Sequence, residues 1–226
     1  MPTIAIIGAG PGLGRSLAHT FGRHGFSVAL VARNPDRLTA LRDELRTAGI
    51  VAERFPADAG DPEALAAALR SAASGLDAID VLEFSPYSGL ERVYPEQVTA
   101  DNLIPALQTT LVGAVAAVGA VLPGMLERGS GTILFTTGGG AINPYPMLAP
   151  TNAAQAGLRN WAHNLHQTVA ERGVHVATVA INVLIGATAP DGVPHRAPDE
   201  IAKIYWDLHS RRDRVEEVVT GHPDGR

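Results

Sequence analysis

The chain contains no cysteine, a single lysine and no excess of basic charge, and each shortage closes off a class of chemistry. Without cysteine there is neither a disulfide framework nor a thiolate metal site, which fits a reducing cytoplasm. A formal net charge of −5 argues against nucleic acid as a partner, because a phosphate backbone calls for a basic face. No His, Asp and Glu cluster has the spacing of metal ligands, so no metal is expected. Met1 to Gly8 reads as a buried strand with no charged leader before it, and no signal peptide is expected. Long apolar runs are also scarce. No charged residue falls between Asn102 and Leu126, but the apolar run Leu111–Leu122 is short, and Pro105, Gln108, Thr109, Thr110 and Pro123 interrupt its flanks. A run of that length reads as a core helix rather than a membrane span. A soluble, cytoplasmic protein without a membrane partner is the expectation. The basic charge lies on 17 arginines and one lysine, Lys203.

What is present is ample for one core. The 226 residues are 46% hydrophobic and 18% charged, which suits a single domain spanning 1–226. Apolar strand-like runs alternate with helical patterns along the whole chain. Strands are predicted at 3–7, 27–32, 51–55, 79–83, 132–137 and 174–181. Helices are predicted at 12–24, 35–48, 62–73, 99–127, 151–172 and 198–212. Asn34 followed by Pro35 is a helix start, with a capping side chain and then proline at the first helical position. Such alternation implies right-handed crossovers between parallel strands, hence an α/β, three-layer, doubly wound Rossmann-type sheet. Ligands of such sheets sit at the carboxyl ends of the strands, and the Gly- and Pro-rich stretch 186–197 after the sixth strand is expected to form a lid there.

The first strand runs directly into Gly8-Ala9-Gly10-Pro11-Gly12-Leu13-Gly14, which opens a helix. Glycines allow a tight turn and a close backbone approach to a pyrophosphate, and the helix N-terminus adds free N–H groups and a favourable dipole. With a strand before it and a helix after it, the pattern predicts dinucleotide binding. The end of the second strand faces the adenosine ribose in that arrangement. An acidic side chain there suits the 2′-hydroxyl of NAD, whereas Arg33 suits the 2′-phosphate of NADP. Asp58, with Ala59 beside it after the third strand, is placed to accept from an adenine amino group, and a turn residue would look the same.

This order of parts resembles the short-chain dehydrogenase/reductase family over nearly the whole chain. The spacing Gly8-x-x-x-Gly12-x-Gly14 matches its glycine turn, Ala57-Asp58 its adenine contact, and Gly131-Thr132-Ile133-Leu134 the start of its fifth strand. Leu122-Pro123 with Met125 resembles the end of its long interface helix, and Val174-His175-Val176 the start of its sixth strand. The resemblance implies an NADP-dependent oxidoreductase. The family's chemistry uses a Tyr whose pKa, near ~10 when free, is brought toward neutrality by a Lys one helical turn away. A Ser on strand five and an Asn in the interface helix assist.

Aligned on these motifs, Gly138 stands at the Ser position, Thr151 at the Tyr, Gln155 at the Lys and Thr110 at the Asn. The strand-four signature reads Phe84-Ser85-Pro86-Tyr87, and Ile181-Asn182 replaces the Pro-Gly after strand six. Sliding the register brings Thr137 to the Ser position but Pro150 to the Tyr, and the only lysine is in the last helix, so no register restores the pair. Candidate substitutes are Tyr145, in the loop after strand five, and Glu83, a carboxylate at the end of strand four. His163 and His166 lie too far along their helix and are expected to be structural or at an interface. Two other readings stay open: a non-catalytic NADP-binding sensor or partner subunit, and an enzyme of another class reusing the fold. Apolar faces on the helices 99–127 (Leu111, Val115, Val118, Leu122) and 151–172 (Leu158, Trp161, Leu165, Val169) predict a homodimer or homotetramer.

Overall fold

The computed structural model describes residues 1–87, 89 and 91–221. Its sheet runs β3-β2-β1-β4-β5-β6-β9, with all seven strands parallel. The strands are β1 (Thr3–Ile7), β2 (Ser27–Val31), β3 (Ala52–Arg54), β4 (Ile79–Phe84), β5 (Gly131–Gly138), β6 (Val174–Ile181) and β9 (Glu216–Val219). Because side chains alternate across a strand, β1 sends Ile4 and Ile6 to one face and Ala5 and Ile7 to the other. Helices α1 (Leu13–Arg23), α2 (Pro35–Thr47) and α7 (Pro198–Arg211) cover the first face, and α3 (Pro62–Leu76), α5 (Gly113–Arg128) and α6 (Ala149–Val169) the second. This is a doubly wound α/β fold in a single domain. The reversal of strand order lies between β1 and β4, where such sheets bind their ligands.

Local chemistry explains the helix starts. Asn34 caps α2 by accepting from Asp36 and Arg37 N–H, both at 3.0 Å, and Asp61 caps α3 in the same way through Glu63 and Ala64 N–H. Helix α1 begins on Gly12 with no side-chain cap, which leaves its first-turn N–H groups to other acceptors.

Three features depart from the sequence expectation. The single helix predicted for 99–127 is α4 (Ala100–Leu107), a π-helical turn at Gln108–Val112, and α5. Gly113 follows that turn and packs so tightly on the loop after β3 that a Cβ would lie 2.2 Å from the Ala59 carbonyl oxygen. Second, β9 is an extra strand. Its Glu216 turns back to Arg159 of α6 in a bidentate pair at 2.6 and 2.7 Å and accepts from Thr178 Oγ1. Third, the Gly- and Pro-rich stretch is closed on itself by a two-residue ladder, β7 (Leu184–Ile185) with β8 (His195–Arg196).

The helix Ala100–Arg128 is long and apolar enough, by length and composition, to cross a membrane, and 33% of its most apolar window is buried in the fold. Val118, Leu158 and Val169, expected on an intermolecular face, lie instead in the chain's own core; Leu111, Leu122, Trp161 and Leu165 pack partly against it. Val112 and Val115 remain exposed.

Candidate functional site

The carboxyl edge of the sheet carries two concavities. The first, about 240 Å³, lies at the ends of β1, β2 and β3. Gly8, Gly10 and Pro11 form one wall, with Arg33, Arg37 and Asp58 around the rest. The glycines of the turn have distinct tasks. Gly8 has φ of +99°, and a Cβ on it would lie 2.3 Å from the Ser85 carbonyl oxygen, so no other residue fits. A Cβ on Gly14 would press on Ala9 Cα at 2.9 Å, so this glycine lets the helix close on the turn. Gly12 has nothing within 4 Å of that position, and Gly10 only the Gly8 carbonyl at 3.7 Å. Space is therefore kept clear beside an uncapped helix start, an arrangement suited to an anionic diphosphate. Leu13 and Gly14 are buried behind the turn rather than on the cleft wall.

Arg33 is exposed at the end of β2, and Arg37, one turn into α2, lines the same cleft. Sequence reasoning missed Arg37; its four-residue spacing from Arg33 across a helix start was the available signal. Asp58 lines the cleft while one carboxylate oxygen accepts from Gly60 N–H at 2.9 Å, so it serves the turn and leaves the other oxygen outward. Ala59 also lines the wall, as do Tyr87 and Thr109.

The second concavity, about 340 Å³, lies at the ends of β5 and β6 and gathers Gly138, Thr151 and Gln155 with Tyr145. Gln155 Oε1 accepts from Gly138 N–H at 2.8 Å, and a Cβ on Gly138 would lie 3.1 Å from that oxygen. Tyr145 donates its hydroxyl to Asn182 Oδ1 at 2.7 Å, linking the loop after β5 to the loop after β6. Asn152 is buried and donates to the Tyr145 carbonyl at 2.6 Å. Gly139 and Gly140 admit these amides, since a Cβ on either would meet Asn182 or Asn152 Oδ1 within 2.4 Å. Thr110 sits half-buried in the π-turn and lines neither concavity, and Lys203 is exposed on α7.

Glu83 is in neither. It is fully buried, accepting from Thr136 Oγ1 at 2.9 Å and Ser85 Oγ at 3.0 Å, while the Tyr205 hydroxyl meets Thr136 Oγ1 at 2.6 Å. Burial pushes its carboxyl up to about 8, against the two hydrogen bonds that favour the charged form. It belongs to a polar core network under the strand ends, which corrects its expected place beside a substrate. His163 bonds Thr178 Oγ1 at 3.1 Å, and His166 meets His175 edge-on at 5.6 Å, both away from the concavities.

The family described as short chain dehydrogenase matches residues 2–189. The chain belongs to that family. Among curated short-chain dehydrogenase relatives, the "Inactive hydroxysteroid dehydrogenase-like protein 1" of Mus musculus is 30% identical over 202 residues, covering 85% of this chain and 59% of that protein. A fatty acyl-CoA reductase of Mycobacterium tuberculosis is 27% identical over 218 residues, covering 93% and 74%. The chain thus spans about six-tenths of the length of the first-ranked relatives. Among solved structures, L-sorbose reductase from Gluconobacter frateurii, complexed with NADPH and L-sorbose, superposes with a TM-score of 0.90 at 21% identity, covering 100% and 97%. A metagenomic short-chain oxidoreductase in complex with NADP gives 0.85 at 23%, covering 96% of each chain, and an NAD+-bound xylitol dehydrogenase 0.90 at 16%, covering 98% of each. The short-chain dehydrogenase fold follows.

Proposed function

We propose that this short-chain dehydrogenase binds NADP(H) in preference to NAD(H) and lacks the family's Tyr–Lys acid–base pair. The observation that carries the nucleotide choice is the joint presence of Arg33 and Arg37 on the cleft at the end of β2, neither in an ion pair among the described residues. Two guanidinium groups there complement a phosphate and have nothing comparable to offer a neutral hydroxyl. Fold alone does not choose, since NADP- and NAD+-bound relatives superpose comparably. Gly8, Gly10 and Pro11 would hold the diphosphate and Asp58 the adenine edge; the nucleotide, when bound, supplies or takes up a hydride.

The neighbouring pocket offers Gly138, Thr151 and Gln155 where the family places Ser, Tyr and Lys, and none of these is a useful acid at neutral pH. This favours a substrate that needs no proton from the protein, such as a conjugated carbon–carbon double bond or an iminium. A second reading, nucleotide binding without turnover, gains support from relatives named inactive. We further propose a homodimer or dimer of dimers through α5 and α6, with Val115 of α5 and Val112 of the π-helical turn before it exposed.

The test is a titration with both nucleotides. NADPH should bind more tightly than NADH, and Arg33→Asp should cost NADPH a tenfold to hundredfold loss, about 1.5–3 kcal/mol for a charge-assisted contact. Equal affinities in the wild type would refute the assignment.

A further inference from the structure

The polar network beneath the strand ends touches the nucleotide cleft through one residue. Ser85 gives its N–H to the Ile7 carbonyl at 2.8 Å, and its own carbonyl abuts Gly8, where a Cβ would lie 2.3 Å from the oxygen. Ile7, Gly8 and Pro86, the residue after Ser85, all line the cleft. On its other side the Ser85 hydroxyl meets Glu83 Oε2 at 3.0 Å. A fully buried carboxyl group is thus one side chain away from the glycine turn.

The supply of protons fixes the direction of each hydrogen bond. Thr136 Oγ1 meets both Glu83 Oε1, at 2.9 Å, and the Tyr205 hydroxyl, at 2.6 Å, and a hydroxyl has one proton to give. The buried Tyr205 hydroxyl has Thr136 as its partner, so Tyr205 donates to Thr136 and Thr136 donates to Glu83 Oε1. In the neutral acid the carboxyl proton therefore sits on Oε2 and is donated to Ser85 Oγ. The Ser85 proton is then left for the Ile7 carbonyl, at 3.5 Å. In the carboxylate that proton turns back to Oε2, and the Ser85 side chain lets go of Ile7.

Ionisation also leaves a negative charge in the core with no cation beside it. Neither β1 nor β5, which flank Glu83, carries a titratable residue, and Asp80 of β4 lies at the amino end on Thr3 N–H. On α1, Arg15 and His19 pair with Glu44 of α2, and Arg23 is exposed. On α7, Asp199 accepts from Ser16, Glu200 and Lys203 are exposed, Asp207 pairs with Arg211, and His209 bonds Thr132 at the amino end of β5. Tyr205 is the titratable side chain that reaches the network, and burial pushes its hydroxyl well above the ordinary tyrosine value. A buried charge is weakly screened, so an unpaired carboxylate beneath a turn that holds a diphosphate repels it.

We infer that Glu83 is a positioning residue whose proton is linked to nucleotide binding: the neutral acid holds Ser85 against the glycine turn, and the carboxylate releases it and opposes the nucleotide's phosphates. The inference rests on the reading of this cleft as the NADP(H) site. Linkage is reciprocal, so a nucleotide that prefers the neutral form also holds the proton in place. Glu83 gives up its proton at about 8, so affinity is greatest below that pH and falls as pH rises through it. The 2′-phosphate takes its own second ionisation near ~6, below this range.

Calorimetric titration of the full chain with NADPH at pH 7 and pH 9 tests this, with circular dichroism checking the fold at each pH. The wild type should bind about fivefold or more weakly at pH 9, the low end of coupling between linked sites. At pH 8, compared in buffers of different ionisation enthalpy, it should take up a fraction of a proton for each nucleotide bound. Glu83→Gln keeps a donor and an acceptor but cannot ionise, so it should abolish both the pH dependence and the uptake. Ser85→Ala removes a hydrogen bond that favours the carboxylate, so it should move the fall in affinity to higher pH, and it serves if Glu83→Gln does not fold. Equal affinity at pH 7 and pH 9, or a loss that persists unchanged in both variants, would overturn this inference alone. No saturable NADPH binding at either pH would overturn the nucleotide reading, and this linkage with it.

Discussion

The two concavities at the sheet's carboxyl edge are built by different means. At β1–β3 the wall is backbone: a Cβ on Gly8 would lie 2.3 Å from the Ser85 carbonyl oxygen and one on Gly14 2.9 Å from Ala9 Cα, and Gly10 and Gly12 keep space clear. At β5–β6 the wall is side chain: Gln155, Asn182 and Tyr145 form a network of neutral groups over three successive glycines. A backbone site tolerates little change, because its geometry is the fold's geometry. A side-chain site can exchange its chemistry while the strands beneath stay put. This is how one family can keep its nucleotide cleft while the residues of the neighbouring pocket change.

The comparison can be broken from the pocket side. Gly138→Ser, Thr151→Tyr and Gln155→Lys together should create measurable NADPH-dependent ketone reduction, since positioned acid–base groups contribute about 10²–10⁴-fold. Gly138→Ser on its own crowds Gln155 Oε1, which a Cβ would approach to 3.1 Å, so the triple variant should gain more than its parts. No gain, in a variant that still binds NADPH, would mean that the pocket differs from the family's in more than these three positions.

A second, smaller effect lies beneath the edge. Glu83 holds its proton up to about 8 in the fold, whereas an unfolded glutamate loses it near 4.5. Between those values the unfolded chain binds fewer protons, so stability from this group falls as pH rises, by about 3–5 kcal/mol across the whole window. Glu83→Gln should flatten that loss in denaturant melts at pH 5 and pH 8, and an unchanged slope would count against the network as described. His175 and His209 act in the opposite sense. Burial lowers both to about 4, so their contribution is complete above about 6.5 and is lost as pH falls from there toward 4. Smaller still is assembly: light scattering at micromolar concentration should report a dimer or tetramer, and Val115→Asp should shift it toward monomer.

The fold could be read from periodicity because apolar strands alternate with long helices, two of them opened by the capping side chains Asn34 and Asp61, and the glycine turn because its spacing has few structural alternatives. The β9 strand was missed because four residues, two of them glutamates, carry no apolar run; its meaning lies in the Arg159–Glu216 pair, 57 residues apart. Glu83 was misplaced because a carboxylate at a strand end reads as functional, and only its partners Thr136 and Ser85 reveal a core group. Gln155 was seen as a missing lysine. That its side-chain oxygen accepts from Gly138 N–H is a contact invisible along the chain.

The central claim is that the nucleotide half is complete and the family's proton chemistry is not. Single-turnover mixing of the NADPH-loaded protein with simple ketones, followed by nicotinamide absorbance, tests it most directly. Saturable NADPH binding with no oxidation above the protein-free rate is the expected result. Oxidation at ordinary enzymatic rates, on the order of 1–10³ per second, would contradict it.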